Sequence, residues 1–197
     1  MPQPVPLQHN KYYHIFNRGN NRENIFLEER NYRHFLKLYT HHVLPVADTY
    51  AYCLLRNHFH LLVRIKDPAD LPAPRKSRKP SQHFSNLFNA YAKAFNSAYH
   101  RTGTLFQRPF GRIEVSSDAY FVQVVVYIHR NPQKHGLVPD FRTWPYSSYQ
   151  ALLSSQPTHV QRDAVLEWFQ GADHFDDVHR YEAEGRIIAP LIPDDFD

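Results

Sequence analysis

The chain has 197 residues, 42% of them hydrophobic and 15% aromatic, which is enough for one packed domain with an appendage and excludes disorder over most of its length. Its single cysteine, Cys53, excludes an intramolecular disulfide and a cysteine-based zinc site, and no apolar run reaches the length of a membrane span. The net charge of +4 divides unevenly, with 20 Lys/Arg against 9 Asp/Glu in residues 1–150 and 3 against 10 in residues 151–197. A basic body with an acidic tail fits a polyanion-binding core. The opening Met1-Pro2-Gln3-Pro4 lacks the basic and apolar stretches of a secretory signal, so a soluble cytoplasmic protein is expected.

The first strand is expected over Tyr12–Arg18, ended by the turn-forming Gly19-Asn20-Asn21-Arg22. A helix follows from about Glu28 to His42, with Tyr32, Phe35, Leu36 and Tyr39 on its apolar stripe and Pro45 beyond its end. Strands over about Thr49–Leu55 and His58–Ile65 are joined by Arg56-Asn57. Residues 67–80 carry four prolines and the cluster Arg75, Lys76, Arg78 and Lys79, and read as an exposed loop. Ser81–Tyr99 is a helix on the spacing of Phe84, Leu87, Phe88, Tyr91 and Phe95. Leu105–Val115 reads as extended. Ser117 or Asp118 caps a last helix of the body, whose apolar face is Phe121, Val124, Val125 and Ile128 and whose stop is Pro132. The tail holds a short helix near Arg162–Gln170 and acidic ends. The order strand, helix, strand, strand, helix, strand, helix predicts an α+β fold. Its antiparallel sheet would carry helices on one face, in a ferredoxin-like arrangement.

Two segments carry chemistry. Alternation along His58–Ile65 puts His58, His60, Leu62 and Arg64 on one face, and the wholly apolar Phe59, Leu61, Val63 and Ile65 on the other. The apolar face is expected to be the buried one, which leaves both imidazoles together on the polar side, as two ligands of one metal ion would need. Tyr127 and Asn131, four apart, share a helix face if the helix survives to Asn131. A phenol near pKa 10 is a weak nucleophile unless activated, so a divalent ion acting on the scissile phosphate would be its natural companion. Attack by Tyr127 would leave a 5′-phosphotyrosine link and a free 3′-OH, and rejoining would need no ATP. With 14 histidines and 13 tyrosines in the chain, ordinary packing remains the plain alternative for any one of these residues.

His58-Phe59-His60 resembles the histidine–hydrophobic–histidine (HUH) motif of single-strand DNA nucleases. The stretch from Tyr127-Ile128-His129-Arg130-Asn131-Pro132 to Gly136 resembles the Tyr-Ile-x-x-Asn-Pro block of the REP-associated tyrosine transposases, which are single-tyrosine HUH enzymes. Matching blocks are Phe16-Asn17-Arg18-Gly19-Asn20, Arg101-Thr102-Gly103 with Phe106-Gln107-Arg108-Pro109-Phe110, and Trp144-Pro145-Tyr146-Ser147-Ser148-Tyr149. The resemblance covers about residues 11–150. It implies an HUH catalytic domain over 1–150, with 151–197 as an acidic, partly helical C-terminal extension. It further implies that Tyr127 is the nucleophile and that His58, His60 and Asn131 are ligands of Mg²⁺ or Mn²⁺, the two imidazoles favouring manganese. The implied partner is single-stranded hairpin DNA of the repetitive extragenic palindrome kind, bound by a monomer or homodimer in the bacterial cytoplasm on the nucleoid. Arg18, Arg108 and Arg112 are the leading DNA-contact candidates, each near a matched block. The competing expectation is a catalytically silent DNA- or RNA-binding regulator on the same fold.

Overall fold

The computed structural model describes residues 5–71, 73 and 78–181. The cluster residues Arg75 and Lys76 and the acidic end, 182–197, lie outside the described residues, while Arg78 and Lys79 are exposed. Strand β1 (Tyr12–Arg18) leads to helix α1 (Glu29–His42), then β2 (Ala47–Leu54) and β3 (His58–Ile65), helix α2 (Pro80–Ala98), β4 (Gly111–Val115) and helix α3 (Asp118–Lys134). Three short helices follow: α4 (Tyr149–Leu153), α5 (Arg162–Trp168) and α6 (Ala172–Tyr181). The sheet order is β2-β3-β1-β4, and each neighbouring pair is antiparallel. That order, with the chain path strand–helix–strand–strand–helix–strand, is the ferredoxin-like topology.

The apolar stripes of α1 and α2 cover one sheet face. Tyr32, Phe35, Phe84, Leu87 and Tyr91 share a core with Ile15, Phe59, Leu61 and Val63. Each Phe taken fully out of water there stabilises the fold by about 1.5–3 kcal/mol. The opposite face is not open. Phe121, Val124, Val125 and Ile128 of α3 pack over Ala51, Cys53, Leu62 and Val115, and Leu152, Val165, Phe169 and Phe175 complete that second core. Helices therefore cover both faces of the sheet, not one. The reason lies in α3, whose apolar stripe needs a partner and finds it on the histidine side. The polar face of β3 is consequently buried too, with His58 2% and His60 0% exposed.

Pro132 does not stop α3, which runs through it to Lys134. The proline forgoes one hydrogen bond to the preceding turn. The termination comes later, where Gly136 adopts φ +65 and its N–H bonds to Gln133 O, while Leu137 N–H returns to Pro132 O. Ser117 caps the start, its Oγ accepting from Tyr120 N–H.

At the sheet edge, Gly111 of β4 lies under the ring of Phe16, and a Cβ there would stand 2.1 Å from a ring carbon. Phe16 faces the same side as His60, with ring centroids 6.1 Å apart. Gly111→Ala is therefore expected to cost about 1–3 kcal/mol through overpacking, measured as a lowered melting temperature by circular dichroism.

Candidate active site

Strand β3 places His58 and His60 two residues apart on the face that α3 covers, and α3 aims Tyr127 at them. The rings of His60 and Tyr127 are 5.3 Å apart and nearly perpendicular. His58 and His60 are 5.2 Å apart, ring to ring. Asn131, fully buried one turn after Tyr127, donates from Nδ2 to Tyr127 O at 2.9 Å. That bond uses one of the two amide N–H donors and leaves Oδ1 as an acceptor, with no hydrogen-bond partner among the described residues. The structure thus brings Tyr127 to His60 and, through it, to the histidine pair from within a single chain, with Asn131 one turn further along the same helix.

The surroundings add residues that sequence reasoning did not single out. His14 of β1 has Nε2 3.0 Å from His60 Nδ1, and its ring is 6.0 Å from that of Tyr127. His135, just past the end of α3, stacks edge-on to His58 at 4.8 Å. Lys134 sets its Nζ 5.5 Å over the Tyr127 ring. A signal for the last two was present, because positions 131, 134 and 135 fall on the helix face of Tyr127. None was available for His14, whose position depends on β1 lying beside β3. Burial, helped by His14 and His58, holds the His60 pKa well below the ordinary imidazole value, so this ring is neutral near pH 7. Neutral imidazole is the form that can ligate a metal.

Among the described residues no group of three or more His, Cys, Asp or Glu is arranged to hold a metal ion. The candidate donor set is therefore two imidazoles and one amide oxygen, open to waters or phosphate oxygens. Two of its atoms, His60 Nε2 and Asn131 Oδ1, are buried and lack hydrogen-bond partners among the described residues, which fits a divalent ion. His58 fits as well. Its Nδ1 lies 2.6 Å from Asn57 Oδ1, an acceptor that fixes the proton on Nδ1 and leaves the Nε2 lone pair.

The three DNA-contact candidates separate. Arg108 is exposed and Arg112 half-buried, its guanidinium 4.1 Å over the Phe110 ring with its pKa lowered by burial. Both line a groove of about 520 Å³ between α2 and the 103–112 segment, together with Lys93, Asn89 and Gln107. No carboxylate is among its lining residues. Arg18 differs from both in being 3% exposed. Its burial follows from its place at the end of the central strand β1, opposite His58.

Comparisons with known proteins bear on the fold. No family model matches the chain. A Haemophilus influenzae protein assigned as a REP-associated tyrosine transposase is 32% identical over 104 residues, covering 52% of this chain and 58% of that protein. The match thus spans less than two thirds of the relative's own length. A solved structure of a REP-associated tyrosine transposase bound to a REP hairpin superposes with a TM-score of 0.58, covering 80% of this chain and 88% of that one at 20% identity. In sequence and in fold, the chain is similar to the REP-associated tyrosine transposases. The shared α+β fold with these transposases is the one derived above from strand order. No helix among the described residues is long and apolar enough to cross a membrane.

Proposed function

We propose that this chain is a metal-dependent single-strand DNA endonuclease and strand transferase, a transposase acting beside hairpin DNA. The observation that carries the reading is the approach of Tyr127 to the histidine pair, 5.3 Å ring to ring at His60, from segments far apart in sequence. A divalent ion, Mg²⁺ or Mn²⁺, would be held by His58, His60 and Asn131, and would polarise a non-bridging phosphate oxygen and stabilise the charge of the transition state. Tyr127 Oη attacks phosphorus, the phenol gives up its proton, and the 3′ oxygen leaves as a hydroxyl. The 5′ phosphate remains esterified to Tyr127, and the 3′-OH of another strand reverses the step. Arg112, Arg108 and Lys93 supply positive charge for the flanking phosphates along their groove.

The proposed partner is single-stranded DNA folded into REP-like hairpins, on the bacterial nucleoid in the cytoplasm. Because Tyr127 and both histidines meet within one chain, a monomer can build the whole site. The test is to incubate the protein with labelled hairpin DNA and Mn²⁺ or Mg²⁺ and to resolve covalent species on a denaturing gel. A slow-migrating adduct that is lost with EDTA is expected. Hairpin binding without any adduct, across substrates varied on both sides of the hairpin, would sink the transferase reading and leave a DNA-binding regulator.

A further inference from the structure

His14 has no part in the chemistry just described, yet it is fully buried in the middle of the sheet. The register accounts for its position. Phe16 lies opposite His60 and His14 opposite Leu62, so His14 and His60 are diagonal neighbours on one face. Their rings are stacked at 5.1 Å and joined by the 3.0 Å contact between His14 Nε2 and His60 Nδ1. An aliphatic side chain would fill this space without the cost of burying an imidazole, which is offset only if the ring is hydrogen-bonded. The question is what that bond fixes.

A neutral imidazole carries one proton on one of two nitrogens. If His14 Nε2–H were the donor, the proton of His60 would sit on Nε2. That proton would occupy the nitrogen that the ion-binding reading gives to the metal, whereas the reverse direction places the second proton on His14 Nδ1. If His60 Nδ1–H is the donor, His60 Nε2 carries a lone pair on the ring that adjoins Tyr127, and a lone pair is what a metal ion binds. His58 follows the same pattern, with Asn57 Oδ1 at its Nδ1. In that arrangement each histidine of the pair is backed at Nδ1 by an acceptor.

We propose that His14 is the positioning residue of this pair: it accepts the Nδ1 proton of His60 and holds that ring in the tautomer whose Nε2 can bind a divalent ion. The inference rests on the ion-binding reading of His58, His60 and Asn131, and its test separates the two. The first measurement is long-range ¹H–¹⁵N NMR of the full chain labelled with ¹⁵N-histidine, in EDTA, with the His60 signals identified by their loss in His60→Gln. His60 is expected as the Nδ1–H tautomer in the wild type and in His14→Gln, whose amide oxygen can accept the same bond. In His14→Leu the Nδ1–H form is expected to lose its dominance.

The second measurement is Mn²⁺ affinity by calorimetry, with thermal melts to confirm folding. His14→Leu is expected to bind Mn²⁺ about 10- to 100-fold more weakly, the usual effect of removing a group that orients a ligand, and His14→Gln to recover most of it. An Nε2–H His60 in a wild type that binds Mn²⁺ would overturn the role of His14 alone. So would a folded His14→Leu with wild-type affinity. If His14→Leu does not fold, the wild-type tautomer still decides. Absence of Mn²⁺ binding by the wild type would instead overturn the ion-binding reading.

Discussion

Tyr127→Phe is expected to abolish the covalent protein–DNA adduct while leaving hairpin binding intact. The phenol ring is held by contacts that phenylalanine keeps: the edge of His60 at 5.3 Å, the edge of His14 at 6.0 Å, and the Lys134 ammonium over its face at 5.5 Å. The substitution removes one oxygen and little packing, so the melting temperature should hardly move. It also removes the atom that forms the bond to phosphorus. Losing a nucleophile that works as a unit with its neighbours lowers the rate by at least about a thousandfold. Affinity for labelled hairpin should stay within about twofold of wild type, or about 0.4 kcal/mol. A Tyr127→Phe protein that still forms the adduct would mean that another tyrosine attacks. Of the chain's other tyrosines, Tyr50 and Tyr12 lie on the same sheet face, but they cluster with Phe121 and Trp168, near the other end of β1 from Phe16 and His60.

Much of this site was legible from period-two and helical spacing. β1 and β3 begin and end where alternation and turn residues place them, at Tyr12–Arg18 and His58–Ile65, because Tyr13 and Ile15 of β1 and the apolar row Phe59, Leu61, Val63 and Ile65 of β3 face α1 and α2. The same rule misjudged the other face. His58 and His60 alternate with apolar residues and so read as exposed, but α3 lies over them, and alternation along one strand cannot report what covers it. Pro132 read as a stop because proline disfavours helical geometry in the residue before it. Asn131 nevertheless stays helical, and its own side chain bonds back to Tyr127 O. The partnership of His14 with His60 needed the strand order, which no local pattern carries. Helix α6 was missed for a different reason. Four of its ten residues are charged, and its apolar contacts rest on Phe175 and Val178, three apart, so its stripe is only about one turn long.

That helix supplies the second large effect, a loss of stability in acid. His179 of α6 and His129 of α3 are both fully buried, and their rings form a closed hydrogen-bonded chain. His179 Nδ1–H donates to Phe175 O at 2.7 Å, so its Nε2 accepts from His129 Nδ1–H at 2.8 Å. His129 Nε2 in turn accepts from Ser148 Oγ–H at 2.8 Å, and Ser148 Oγ receives Tyr52 N–H of β2 at 2.9 Å. Every link needs both imidazoles neutral. Burial lowers the His179 pKa to about 4 and holds that of His129 well below its ordinary value. The folded state therefore binds fewer protons than the unfolded chain, whose histidines titrate near 6.5. The stabilisation is complete above about pH 6.5 and is lost as pH falls from there toward 4, by up to about 3 kcal/mol from His179 alone. Asp176, which bonds to Tyr149 and pairs with Arg180, has its pKa lowered below the ordinary carboxylate value, so it titrates beneath this window. Urea unfolding between pH 7.5 and 4.5 should show this decline, and hydrogen exchange should show residues 172–181 opening first. His179→Leu should be less stable than wild type at pH 7.5, because His129 Nδ1–H loses its acceptor, by about 1–3 kcal/mol. It should also have a flatter pH dependence over the same range, since one of the two suppressed protonations is gone. A His179→Leu curve parallel to the wild type would assign the acid sensitivity to other groups and remove the histidine couple as the clasp between α6 and the helix that carries Tyr127.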